Sequence, residues 1–109
     1  MRTLKSSREI DRVFRSGSRA GGRLLTLLSV ESPEMVGGAG RIAVVAGKKV
    51  GGAAARNRAK RVLREAVRRA NGPWGKHDVV LIAGPAIGVA QAEEIDAALS
   101  CALERVGLS

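Results

Sequence analysis

The sequence predicts a small α/β or α+β domain in two layers, in the order helix, strands, long helix, strand, helix. Three observations carry that prediction. At 109 residues, a second core would leave each half too small to offset its conformational entropy, so residues 1–109 read as a single domain. Hydrophobic residues make up 45%, close to the globular average and enough for a modest core. Apolar positions alternate between helical spacing and short unbroken runs along the chain.

The elements follow in order. Ser6 with Glu9 three residues later has the form of a capping box, and Ile10, Val13 and Phe14 follow at helical spacing. A short amphipathic helix is expected over residues 7–15, ended by Ser16 and Gly17. Residues 18–22 are small and polar. Residues 23–31 and 41–47 are apolar, partly β-branched runs separated by Pro33 and Gly37-Gly38, which predicts two adjacent antiparallel strands. Residues 53–70 are rich in Ala, Arg and Leu and read as the longest helix, opened by Gly51-Gly52 and closed by Asn71-Gly72-Pro73. Residues 78–83, bounded by His77 and Gly84-Pro85, are almost wholly apolar, as expected of a central buried strand. Glu93, Glu94 and Asp96 then open a last helix whose face is Ile95, Leu99, Leu103 and Val106, ended by Arg105 and Gly107. The single cysteine, Cys101, cannot form an internal disulfide; it reads as a small buried hydrophobe and fits a reducing cytoplasm.

Charge is the informative part of the composition. Lys and Arg number 19 against 10 Asp and Glu, giving +9 and a pI near 11.3, which favours a polyanionic partner. Residues 48–69 hold nine cations, Lys48, Lys49, Arg56, Arg58, Lys60, Arg61, Arg64, Arg68 and Arg69, against Glu65 alone, so +8 of the +9 lies there. Turning at about 100° per residue, Ala55, Ala59, Val62, Leu63, Ala66, Val67 and Ala70 fall on one arc and the cations on the other, with Asn57 in the middle of the basic arc. Arg56-Asn57-Arg58 stand in the first turn, where free backbone N–H groups also favour phosphate. A solvated charged face would carry acidic partners four residues away, and these are almost absent. A membrane-surface helix would want a bulkier apolar face than Ala and Val. Aromatics are 2%, Trp74 and Phe14, so base stacking is not the main source of affinity.

Other classes fall away. The N-terminal residues lack the apolar segment of a signal peptide, and the longest apolar run, residues 24–30, is broken by Thr26 and Ser29, so no membrane association is expected. One Cys and one His cannot hold zinc, and Gly51-Gly52 lacks the spacing of a phosphate loop, so neither a protein metal site nor a small-molecule substrate is expected. An autonomous nuclease would need clustered carboxylates or a paired acid and base. His77 beside Asp78 is the only such pair and reads as structural, while Glu93, Glu94 and Asp96 read as helix N-terminal charges.

The string Lys48-Lys49-Val50-Gly51, continued by Ala55-Arg56-Asn57-Arg58-Ala59-Lys60-Arg61-Val62-Leu63-Arg64-Glu65, closely resembles the signature of the bacterial ribonuclease P protein subunit family. The order of elements is similar to that family over essentially the whole chain. The resemblance implies an α/β sandwich with a sheet of about four strands and three helices in the order αβββαβα, its basic helix in a left-handed βαβ crossover, against the usual right-handed rule. It further implies a cytoplasmic ribonucleoprotein that removes the 5′ leader from precursor tRNA, acting as a tRNA 5′-maturation endoribonuclease. The RNA subunit and its bound Mg2+ perform the hydrolysis, and the protein supplies binding and no catalytic residue. By the same resemblance, Lys48, Lys49, Arg56, Asn57, Arg58, Lys60, Arg61, Arg64 and Arg68 would bind the catalytic RNA. Ile10, Phe14, Arg15, Leu25 and Leu28 would line a cleft of the first helix and the sheet that holds the single-stranded leader. No homo-oligomer is implied.

The sequence departs from the family pattern in places. Ile10, Leu25, Leu28 and Val67 occupy positions often aromatic, Gly52 stands where an Asn is common, and Gly84 where an Arg is common. The alternative is a ribosome- or translation-associated RNA-binding domain of the same fold type, without a nuclease role. What separates the two is the Arg-Asn-Arg string in register after Lys-Lys-Val-Gly, which charge alone would not require.

Overall fold

Helix α1 (Ser7–Ser16), strands β1 (Ser18–Ala20), β2 (Leu25–Glu31) and β3 (Arg41–Val45), helix α2 (Ala53–Arg69), strand β4 (His77–Ala83) and helix α3 (Ala92–Arg105) follow in that order in the computed structural model, which describes residues 7–31 and 40–108. Single 3₁₀ turns at Lys48–Val50 and Ile87–Val89 precede α2 and α3. The expected αβββαβα order holds. Ser6 of the capping box and the turn at Pro33 and Gly37-Gly38 lie outside the described residues.

The sheet runs β1-β2-β4-β3, with β2 antiparallel to β1 and β4, and β3 parallel to β4. The expected pairing of β2 with β3 is therefore corrected: β4 enters between them, and β3, α2 and β4 form a parallel crossover. The reason lies in β4 itself. Its residues 78–81 and 83 are all buried, so this strand needs a neighbour on each edge and cover on each face. Residues 18–20, too small and polar to announce a strand, form a three-residue edge strand in which only Ala20 is buried.

Alternation along the strands divides the core in two. Leu25, Leu27, Ile42, Val79, Leu81 and Ala83 face α2 and α3, meeting Ala59, Leu63, Ala66 and Val67 of α2 and Ile95, Leu99, Ala102 and Leu103 of α3. Helix α2 lies against β3 and β4, and α3 against β1 and β2. On the other face, Leu28, Ala43 and Val80 take Val13 of α1, bordered by Ile10, Val30, Val45 and Ile82. The two-layer description thus fits the sheet with α2 and α3, while α1 is a short separate cover on the opposite face.

Helix ends explain where these elements stop. Both α2 and α3 close with a left-handed residue: Asn71 at φ 63° and Gly107 at φ 78°. In each case the following N–H bonds back five residues, Gly72 to the Val67 carbonyl at 2.9 Å and Leu108 to the Leu103 carbonyl at 2.8 Å. Asn tolerates this conformation through its short polar side chain, so Asn71 rather than Gly72 is the stop signal of α2. At the end of α1, a Cβ on Gly17 would sit 2.4 Å from the Val13 carbonyl oxygen and 2.9 Å from that of Ser29, so this close approach to β2 requires glycine. Cys101 is exposed, correcting its expected burial: it lies on the side of α3 away from Leu99 and Leu103.

Candidate nucleic-acid interface

Packing of Ala59, Leu63, Ala66 and Val67 against the sheet fixes the rotation of α2 and turns its other side outward. Asn57, Arg58, Arg61, Arg64 and Arg68 are exposed, and Arg56 and Lys60 are half-buried at the edge of the arc. Lys48 and Lys49, exposed on the 3₁₀ turn ahead of the helix, extend the basic surface past its N-terminus. All nine residues expected to bind RNA therefore belong to one segment with its cations toward solvent. Ala55, expected on the apolar arc, is exposed, because the core begins only at Ala59.

Few acids interrupt this surface. Arg61 approaches Glu65 at 3.8 Å in an open, water-facing pair worth little. Arg69 differs from its neighbours: its Nε and Nη2 donate to both oxygens of Asp96 on α3 at 2.8–3.0 Å. Those hydrogen bonds hold its guanidinium above the ordinary range and tie α2 to α3. Arg69 is thus a structural cation within the basic run, a role its sequence position does not disclose.

The helix also opens without a side-chain cap. Gly52 is the N-cap, and the first return bond is Arg56 N–H to the Gly52 carbonyl at 2.9 Å. The preceding N–H groups of this exposed first turn have no acceptor within the helix, and with Lys48, Lys49, Arg56 and Arg58 close by in sequence, dipole and charge both favour an anion at this end.

Residues expected to line the leader cleft divide between the faces. Ile10 and Leu28 meet on the α1 side, and Phe14, 45% exposed, and Arg15 stand on the same helix. Leu25 does not join them: it is buried on the opposite face under the other helices, because residues 25 and 28 of one strand point to opposite sides. Missed by the sequence reading are Val30, Val45 and Ile82, partly exposed on the α1 side around Leu28 and Val80. Period-two alternation from Leu28 could have found Val30. Gly84 is explained by close packing, since a Cβ there would lie 2.2 Å from the Arg23 carbonyl oxygen and any larger residue would part the backbones.

His77 and Asp78 are consecutive in β4 and so project to opposite faces of the sheet. The Asp78 carboxylate is buried and bound by the guanidiniums of Arg12 and Arg41. Among the described residues no group of three or more His, Cys, Asp or Glu side chains could hold a metal ion, and no helix is long and apolar enough to cross a membrane.

The geometry has counterparts among known proteins. A family model described as Ribonuclease P matches residues 1–107. The ribonuclease P protein component of Syntrophomonas wolfei is 36% identical over 106 residues, covering 96% of this chain and 87% of its own length. That of Brevibacillus brevis is 35% identical over 104 residues, covering 94% and 80%. Among solved structures, the RNase P protein of Staphylococcus aureus aligns with a TM-score of 0.84 at 20% identity, covering 99% of this chain and 97% of its own. The RNase P protein of Thermotoga maritima aligns at 0.76 with 22% identity, covering 93% and 94%. The structural likeness is one of fold.

Proposed function

The chain belongs to the ribonuclease P protein family, and from that premise we propose that it is the protein subunit of the ribonucleoprotein that removes the 5′ leader from precursor tRNA in the cytoplasm. The observation that carries this reading is the arc of α2, whose exposed cations are almost unaccompanied by acids. Its Arg forks, Asn57 and the uncapped N-terminus suit crowded phosphates of a folded RNA, so α2 with Lys48 and Lys49 binds the catalytic RNA.

The opposite face serves the substrate. Ile10, Phe14 and Arg15 of α1, with Leu28 and the apolar side chains around it, hold the single-stranded leader by packing and charge. With one aromatic on that face, recognition depends weakly on base identity. Leader binding raises the affinity for precursor over mature tRNA. Hydrolysis belongs to the RNA subunit, and Mg2+ supplies its metal chemistry there. In this reading the side chains of this chain bind and position RNA and take no part in that chemistry.

The test is leader cleavage of a precursor tRNA at low Mg2+, with protein alone, a bacterial ribonuclease P RNA alone, and both together. Efficient cutting by the mixture only is expected. Cutting by the protein alone would overturn the division of labour, and no effect of the protein on the RNA would assign the basic helix to another RNA, such as that of the ribosome.

A further inference from the structure

A second group of charged residues, separate from the α2 arc, lies where β2 ends and β3 and β4 begin. Asp78 is fully buried there and receives the Arg41 guanidinium as a fork, Nε to Oδ1 at 3.0 Å and Nη2 to Oδ2 at 2.8 Å. Arg12 of α1 donates from Nη2 to the same Oδ2 and from Nη1 to the Glu31 carbonyl at 3.2 Å. Arg41 also pairs with Glu9, three residues before Arg12 on α1. Charge therefore alternates along Glu9, Arg41, Asp78 and Arg12, in a path that leaves α1, passes through β3 and β4, and returns to α1.

Apolar packing alone leaves the rotation of α1 loosely set. Its fully buried side chain among the described residues is Val13, with Ile10 partly buried beside it. At about 100° per residue, Glu9 and Arg12 lie on one flank of Val13, and Ile10 and Phe14 on the other. A helix seated on one valine can roll. A roll of about 20° on a helix some 10–12 Å across would carry the Phe14 ring roughly 2 Å over the sheet. Ion pairs at both Glu9 and Arg12 oppose that roll.

We propose that the Glu9–Arg41–Asp78–Arg12 cluster positions α1 and so sets how Ile10 and Phe14 meet the leader, without Glu9 or Asp78 touching RNA. The inference rests on the leader-binding reading above. Glu9 provides the decisive sign. If this carboxylate only stood near the RNA, its removal would strengthen binding by relieving repulsion; if it positions α1, its removal weakens binding. Arg12, 35% exposed, could contact a phosphate itself and cannot make the distinction alone.

The experiment uses the reconstituted holoenzyme and compares precursor with mature tRNA. Glu9→Gln and Arg12→Ala are each expected to raise Kd and KM for the precursor about fivefold, the scale of one partly exposed ion pair, with kcat and mature tRNA binding unchanged. Arg12→Lys recovers part of the loss, because an ammonium can meet Asp78 but does not reproduce the fork. Precursor binding that is unchanged or tighter in Glu9→Gln overturns the inference, as does an equal loss for mature tRNA. Amide hydrogen exchange of the free protein forms an independent arm: Glu9→Gln should speed exchange in α1 while α2 keeps its protection, and unchanged α1 exchange would overturn the positioning role whatever the RNA data. A wild-type holoenzyme that does not prefer precursor over mature tRNA would instead refute the leader reading, with the exchange arm still deciding the role of the cluster in placing α1.

Discussion

Replacing Arg56 and Arg58 together by Ala tests the α2 surface most directly. Both side chains lie off the apolar arc, and neither has an ion pair among the described residues, so the fold loses no partner. Alanine is also the better helix former, which keeps the stability change within about 0.5 kcal/mol. Each lost phosphate contact should reduce the slope of log K against log salt by roughly 0.7–0.9, and two by about 1.6. Over a fourfold rise from roughly 50 to 200 mM salt, that difference amounts to about tenfold. The variant should therefore fall furthest behind wild type at low salt and regain about tenfold of the deficit at the higher salt. Filter binding or fluorescence anisotropy with the RNA subunit across that range measures both slopes. Arg69→Ala is the internal comparison, because its guanidinium is bound to Asp96 and its loss should leave the slope alone while loosening α2 from α3. An unchanged slope in the double variant, or an equal drop in Arg69→Ala, would refute the assignment of these cations.

Phe14→Ala should weaken precursor binding and leave mature tRNA unaffected, since the ring is 45% exposed on the α1 side; equal losses in a paired binding assay would remove Phe14 from the leader surface. Leu63→Ala empties a site with no exposed surface beneath α2, and should lower stability by about 2–5 kcal/mol in chemical denaturation. A change below about 1 kcal/mol there would mean that α2 is not seated as described. Gly17→Ala places a methyl 2.4 Å from a backbone oxygen and should destabilise by about 1–3 kcal/mol, with α1 amides losing exchange protection first. A neutral result would contradict the close approach of α1 to β2.

Local signals were readable wherever the sequence carried them within one segment. The basic arc of α2 needed only helical spacing, and its stop only the Asn71-Gly72 pair; the apolar run of β4 announced a central strand. Partner choice was not readable, since alternation in β2 and β3 describes their faces and not the strand between them. Leu25 joins Leu28 in the cleft only by resemblance to the family, whereas the alternation of the strand itself sends residues 25 and 28 to opposite faces. The remaining omissions are contacts between distant segments. Arg12 meets Asp78 across 66 positions and Arg69 meets Asp96 across 27, so nothing near either arginine marks it as structural rather than free for RNA.

Trp74 gives the molecule an optical property that follows from its place in the fold. It is the only tryptophan, there is no tyrosine, and its ring packs against the α2 and α3 core beside Gly72, in a groove with Arg69, Asp96 and Leu103. Intrinsic fluorescence and near-ultraviolet dichroism thus report almost wholly from one corner, where the C-terminal end of α2 meets α3. Helix α1, across the sheet, contributes only the weak absorbance of Phe14. A thermal trace followed by tryptophan emission would record the undocking of α2 as a step on its sloping baseline and show no step for any earlier release of α1, so the two faces can be melted in turn and told apart without an added label.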